Sequence, residues 1–185
     1  MAKMVFILNG SGGSGKDSVA SVLGRHYKVV NESSITPIKL IAREYTNYDE
    51  SVKSDKDRKF LSDLKTLFVN YCDLPNTYLV NRYNEFLKSD ADIFIAHIRE
   101  GSEIDKFKKS IDGKAITLLV TGGRSKSSYG NKSDDDVFNY DYDYTFINSG
   151  TLENLDSDFM KFFNSILLEE ERKSYPHNEE SFYSE

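Results

Sequence analysis

A chain of 185 residues, 38% hydrophobic and 29% charged, is sized for one compact domain and lies away from disordered, fibrous and disulfide-rich compositions. Its 30 Asp and Glu outweigh 24 Lys and Arg, and the net charge of -6 argues against a general nucleic-acid or anionic-membrane binder. Cys72 is the single cysteine, which excludes an intramolecular disulfide or a zinc knuckle; no apolar run approaches a membrane span, and the expected setting is cytoplasmic.

In chain order, the apolar run 4–8 reads as a buried strand, too short for a signal-peptide core, that flows straight into glycines. A helical segment follows with Val19, Ala20, Val22 and Leu23, then a weaker strand at 27–30. Thr36 reads as a helix cap with Pro37 at the first helical position, ahead of Ile38, Ile41, Ala42 and Tyr45; Lys39 and Arg43 turn away from that apolar face. Helical spacing recurs at Phe60, Leu61, Leu64, Leu67, Phe68 and Tyr71, and after Asn76 at Leu79, Val80, Tyr83, Phe86 and Leu87. Strands are expected at 93–98, 115–120 and 144–147. Ser102-Glu-Ile-Asp105 opens a helix in capping-box style, and Thr151 caps a last helix striped by Leu152, Leu155, Phe159, Phe162 and Ile166. The polar stretch 122–142 reads as a mobile lid and 169–185 as a disordered acidic tail, leaving 1–168 as a single domain with a helical region at 34–88.

Strands alternating with helices predict a three-layer α/β/α fold with a mainly parallel sheet, and such sheets place ligands beyond the carboxyl ends of their strands. There stands Gly10-Ser-Gly-Gly-Ser-Gly15-Lys16, with the spacing of a phosphate-binding loop between a strand and a helix. Gly10, Gly12, Gly13, Ser14 and Gly15 let backbone N–H groups face an anion, the helix start adds partial positive charge, and Lys16 neutralises β- and γ-phosphates. Gly10-x-Gly12-x-x-Gly15 also satisfies the dinucleotide fingerprint, with Glu32 near the place of a ribose-binding acid. Lysine directly after the third glycine favours the triphosphate. Asn131-Lys-Ser-Asp134 resembles the guanine-reading motif of GTPases but lies well beyond its strand. Asp17 occupies the position that usually gives magnesium a hydroxyl; it could hold Mg²⁺ through water with Ser18 nearby, or the triphosphate could carry the metal itself.

The variant Gly15-Lys16-Asp17, the segment Thr36-Pro-Ile-Lys-Leu-Ile-Ala42-Arg43, the run Asp55-Lys-Asp-Arg58, Ile98-Arg99-Glu100, Asn131, Asp134 and Asp143-Tyr-Thr-Phe-Ile-Asn148-Ser-Gly150-Thr-Leu152 together give the chain a further character. It resembles the P-loop small-molecule kinases and, more narrowly, the deoxynucleoside monophosphate kinases of phages; animal phosphomevalonate kinases are similar at the Gly-Lys-Asp loop. The resemblance implies transfer of the ATP γ-phosphoryl group, with Mg²⁺, to a (deoxy)nucleoside monophosphate under a closing lid. Arg43 and Arg58 would then hold the acceptor phosphate from the helical region, and Arg124, after Gly122-Gly123, would be the lid arginine at the γ-phosphate.

Phosphoryl transfer asks for aligned anions and converging cations, and the chain offers Arg43, Arg58, Arg82, Arg99 and Arg124. Arg99, at the carboxyl end of a strand, can grip phosphate bidentately or pair with Glu100 or Asp105. His97 reads as an interior histidine and His26 as a helix-end charge. Tyr45, Phe60, Phe68 and Tyr71 read as packing residues rather than a base-stacking set. The partners expected are small-molecule nucleotides, for a monomer or homodimer. A kinase for another small phosphorylated acceptor, a nucleotide-binding module without transfer, and a simple ATPase remain as alternatives.

Overall fold

The structure, a computed structural model, describes residues 3–52, 54–123, 136–151 and 153–174. Five strands form one sheet: β1 (Met4–Asn9), β2 (Val29–Ser33), β3 (Ile93–His97), β4 (Ile116–Gly122) and β5 (Tyr144–Asn148). Their order is β2-β3-β1-β4-β5 and every pairing is parallel. The helices are α1 (Lys16–His26), α2 (Thr36–Tyr45), α3 (Asp55–Cys72), α4 (Leu74–Lys88), α5 (Gly101–Ser110) and α6 (Leu155–Ser174), with a 3-10 turn at Asp136–Asn139.

The two-residue period of a strand divides the core into two layers. Phe6, Leu8, Ile93, Ile95, Leu118 and Val120 face α1 and α6, meeting Val19, Val22, Leu23, Phe159 and Phe163. Val5, Ile7, Phe94 and Ala96 face the opposite way, onto Leu79, Tyr83 and Phe86 of α4 and Ile104 and Phe107 of α5. Helices cover both faces, the condition under which an all-parallel sheet reads as continuous apolar runs. Ring pairs close the layers, with centroids 5.4 Å apart for Phe6–Phe163 and 5.6 Å for Phe86–Phe94. Fully burying each such side chain is worth about 1.5–3 kcal/mol.

Several boundaries differ from the sequence expectation. β2 starts at Val29, because the chain at Tyr27 still closes α1: Tyr27 N–H donates to the Leu23 carbonyl. Thr36 is helical rather than a cap; Ile35 is the cap residue and no side chain bonds there, Pro37 having removed one donor from the first turn. Pro75 does the same for α4, so Asn76 lies inside the helix rather than before it. α5 begins at Gly101, behind Glu100, instead of at Ser102. Thr151 supplies its carbonyl to the Asn154 and Leu155 amides as the chain enters α6. That helix runs past Leu168 to Ser174, where Lys173 pairs with Glu169 and Glu170 and Glu170 accepts from Tyr144 of β5.

The helical spacing of α3 holds, but its burial does not. No residue of α3 is buried; Leu67 is 62% and Tyr71 84% exposed, while Phe60, Leu61, Leu64 and Phe68 are half-buried. Tyr45 of α2 is also exposed. Core packing is therefore not the role of Tyr45 or Tyr71: both side chains meet solvent, Tyr45 at the end of α2 and Tyr71 near the end of α3. Among the described residues, no helix is long and apolar enough to cross a membrane.

Candidate active site

Residues 10–16 leave the carboxyl end of β1 and close onto α1 as a cradle in which Gly10 and Gly15 are sterically obliged. A Cβ on Gly10 would lie 2.6 Å from the Val120 carbonyl of β4 and 2.5 Å from Ser14 Oγ. Gly15 holds φ +92°, the left-handed region, and a Cβ there would meet Asn148 Nδ2 at 2.3 Å. Ser14 N–H donates to the Ser11 carbonyl and Val19 N–H to the Gly15 carbonyl, so turn and helix start are continuous. The first turn of α1 then points its unpaired amides at the concavity.

Two asparagines hold this loop from either side. Asn9, fully buried at the end of β1, accepts from Gly10 N–H at 2.8 Å; its Nδ2 donates to the Arg99 carbonyl at 2.9 Å and the Tyr142 hydroxyl at 2.7 Å. Tyr142 in turn donates to the Val137 carbonyl at 2.8 Å, and burial pushes its phenol up to about 12. Asn148, at the end of β5, donates through Nδ2 to the Ser14 carbonyl at 3.0 Å and accepts from Gly123 N–H at 2.7 Å. The carboxyl ends of β1, β3, β4 and β5 thus converge on one loop.

Lys16 is mostly enclosed, its side chain 16% exposed, with Nζ 3.3 Å from the Asp17 carboxylate. Asp17 is 84% exposed at the mouth of the loop, with Ser18 beside it on α1. His97, half-buried on β3, pairs through Nε2 with Asn31 Oδ1 at 2.8 Å. Burial first, and then the Lys16 charge, lower its pKa to about 4, so the imidazole is neutral at pH 7. His26 ends α1 beside Arg25, and both pair with Asp156.

Arg99 is brought to the loop by its own backbone, its carbonyl held by Asn9. Of the three carboxylates that follow it, Glu100 and Glu103 meet Lys65 at 2.6 Å and 2.8 Å, and Asp105 accepts from Tyr140 at 2.8 Å. Arg43 and Arg58 stand on α2 and in the first turn of α3; Arg43 engages Glu50 rather than the loop, and Arg58 is exposed. Arg82 binds Glu32 and Glu85. Arg124, Asn131, Asp134 and most of the expected lid lie outside the described residues, whereas its return, 136–142, is tied to the site by Tyr140 and Tyr142.

The dinucleotide alternative needs the second strand beside the first. Here β3 intervenes: Ala96 pairs with Ile7 of β1 on one side and with Glu32 of β2 on the other. Glu32 is therefore two strand spacings, roughly 10 Å, from β1. Its oxygens are also taken, by Tyr78 at 2.6 Å and Arg82 at 2.7 Å. The topology removes the acid from the place the fingerprint requires.

No protein-family model matches the sequence, and no curated protein matches it. Solved structures do share its fold. The chain superposes on TT1252 from Thermus thermophilus with a TM-score of 0.50 and 20% identity, over 91% of this chain and 98% of that one. It superposes on thymidylate kinase from Candida albicans with a TM-score of 0.50 and 13% identity, over 90% and 93% of the two chains. The fold is the three-layer α/β arrangement of these proteins, with a parallel five-stranded sheet.

Proposed function

We propose that this protein is an ATP-dependent phosphotransferase that moves the γ-phosphoryl group of ATP to a (deoxy)nucleoside monophosphate. The observation that carries the reading is the Gly10–Lys16 cradle at the carboxyl end of the central strand β1, between β3 and β4. Backbone amides at the start of α1 and the enclosed Lys16 ammonium suit a chain of phosphates. Likeness in fold to a thymidylate kinase, and helices α2 and α3 inserted between β2 and α4, support a nucleoside monophosphate as acceptor.

In that reaction an oxygen of the acceptor phosphate bonds to the γ-phosphorus while the bridge to the β-phosphate breaks, and ADP leaves with the electron pair. Acceptor phosphates are nucleophilic at neutral pH, so no general base is required, and His97, its pKa lowered to about 4, is a weak proton acceptor. The chain's work is alignment and charge. Lys16 draws charge from the β- and γ-phosphates, and Arg99 meets the transferring group from the end of β3. Arg43 and Arg58 are the residues expected to orient the acceptor, and Arg124, outside the described residues, is the arginine expected at the γ-phosphate.

Mg²⁺ with a triphosphate takes one or two carboxylates and phosphate oxygens. Asp17, an exposed carboxylate opening α1 beside Lys16, fits as that single carboxylate, with Ser18 next to it. Among the described residues no group of three or more His, Cys, Asp or Glu could hold a metal alone, and phosphate oxygens and water would supply the remaining ligands. When bound, the ion neutralises charge on the phosphates.

The test is to follow ADP formation with ATP, Mg²⁺ and each ribo- and deoxyribonucleoside monophosphate in turn, with Lys16→Ala as control. Turnover confined to particular monophosphates and lost in Lys16→Ala is the expected outcome. ATP binding with no turnover across the panel would refute the nucleotide-kinase reading and leave a kinase for another phosphorylated metabolite or a binding module. Acceptor-independent hydrolysis would indicate an ATPase.

A further inference from the structure

The half-buried stripe of α3, formed by Leu61, Leu64 and Phe68, carries one charge, Lys65. A lysine on an apolar stripe normally takes its ammonium out to water. Here the side chain is only 12% exposed, and Nζ lies 2.6 Å from Glu100 Oε2 and 2.8 Å from Glu103 Oε2. Both carboxylates belong to the start of α5, Glu100 as its cap residue and Glu103 in its first turn, with side chains 33% and 17% exposed. One ammonium therefore serves two carboxylates that water reaches poorly. Burial first raises the Glu103 carboxyl above its ordinary range; the Lys65 charge works against that rise and the Glu100 charge adds to it.

This cluster adjoins the site through the backbone. Arg99 directly precedes Glu100, its carbonyl accepts from Asn9 Nδ2 at 2.9 Å, and Asn9 Oδ1 accepts from Gly10 N–H at 2.8 Å. A continuous path thus runs from α3 through Lys65 and Glu100, along the chain to Arg99, and through Asn9 to the phosphate loop. Removing one partner from a buried ion cluster leaves uncompensated charge, whereas replacing the whole cluster by neutral groups of like size is often harmless. Without Lys65, two carboxylates would stand one and four positions after an exposed arginine. A guanidinium grips a carboxylate with the same two-pronged geometry by which it grips a phosphate, so the two anions compete for one fork.

We propose that Lys65 is a positioning residue: by neutralising Glu100 and Glu103 it keeps their charge from competing with phosphate for the Arg99 guanidinium. The role of Arg99 toward the transferring group rests on the kinase reading; the competition between carboxylate and phosphate does not. Lys65 acts through Arg99 and not on the substrates.

The experiment compares the full chain with Lys65→Met and with a neutral variant, Lys65→Met combined with Glu100→Gln and Glu103→Gln, each checked for cooperative unfolding in urea. Turnover is measured with ATP, Mg²⁺ and whichever nucleoside monophosphate wild type accepts. Isotope-edited NMR of the Arg99 Nε–H, identified by its loss in Arg99→Lys, reports the guanidinium directly. Lys65→Met should lower kcat at least about tenfold with KM for ATP within about threefold, the pattern of an interaction lost in the transition state, and should shift the Arg99 signal. The neutral variant should recover kcat to within about threefold of wild type and return the signal, which a purely structural tie cannot do, because both variants lack the same ion pairs. A smaller fall in kcat, a folded neutral variant as slow as Lys65→Met, or an Arg99 signal unmoved in Lys65→Met would overturn the proposal. Should Lys65→Met not fold, the neutral variant decides alone, since it must still work within about threefold of wild type. If no nucleoside monophosphate is turned over, the kinase reading falls, while the Arg99 signal across the three proteins still decides the competition.

Discussion

Replacing Asn9 by leucine, a side chain of similar size without polar atoms, is the most direct probe of how the phosphate loop is held. The substitution removes the acceptor of Gly10 N–H and the donor to the Arg99 carbonyl, and takes one of two partners from the Tyr142 hydroxyl, which keeps its bond to Val137. Gly10 is buried and Asn9 fully so, so the Gly10 amide gains no water in exchange, whereas Arg99 is exposed and its carbonyl is open to hydration. A buried polar group left without a partner costs about 1–3 kcal/mol, which the Gly10 amide carries, a sizeable share of the roughly 5–15 kcal/mol by which a domain is stable. Because these groups border the loop and Arg99, the loss should fall on function first. ATP affinity should drop at least about tenfold in the folded protein, with the denaturation midpoint lowered and the slope unchanged. Urea unfolding followed by circular dichroism gives the stability, and calorimetric titration of ATP gives the affinity. Stability within about 0.5 kcal/mol of wild type together with unaltered ATP affinity would refute the reasoning, since it would mean the three bonds hold nothing in place.

Three further outcomes follow from the same geometry. Gly15→Ala forces a left-handed backbone on a residue with a Cβ and drives that Cβ into Asn148, so ATP should bind about 30-fold more weakly, for a cost of about 2 kcal/mol, as read by titration. Tyr142→Phe removes the hydroxyl that joins Asn9 to Val137, and should lower the thermal midpoint by several degrees, for about 1 kcal/mol, in a melting experiment. His97 has its pKa lowered from 6.5 to about 4, so the unfolded chain takes up the proton first as pH falls. Its contribution is complete above about pH 6.5 and is lost between there and pH 4, by at most about 3 kcal/mol; His97→Gln should flatten that part of the stability profile measured by urea unfolding.

Much of the fold was legible because its signals are local. The runs that became β1, β3 and β4 are continuous and apolar since both faces of the sheet are covered, and the glycine-rich loop announces itself within seven consecutive residues. Cap positions were less legible: Thr36 and Asn76 have the right chemistry for helix starts, yet Pro37 and Pro75 let each helix begin earlier with one donor fewer to satisfy. Helical period alone gave α3 correctly, but periodicity reports that a face exists and not what lies against it. Tyr71 and Leu67 sit on that stripe and meet solvent.

The supports of the site escaped the sequence for a different reason. Asn9, Asn148 and Tyr142 act across the sheet: Asn148, at the carboxyl end of β5, reaches Ser14 across 134 positions because a parallel topology gathers strand ends, and Asn9 meets Tyr142, on the segment leading into β5, across 133. Such a topology concentrates functional residues at one edge because every strand ends there, and it makes their partners distant in sequence. An asparagine ending an apolar strand just before a glycine loop is the only local hint, since a fully buried amide must find partners. The loop's lysine can be read from its neighbours, but the stiffness that keeps its cradle open to phosphate comes from Asn9 and Asn148 on either side. Weakening either should therefore damage phosphate binding although neither side chain is placed to touch the phosphates.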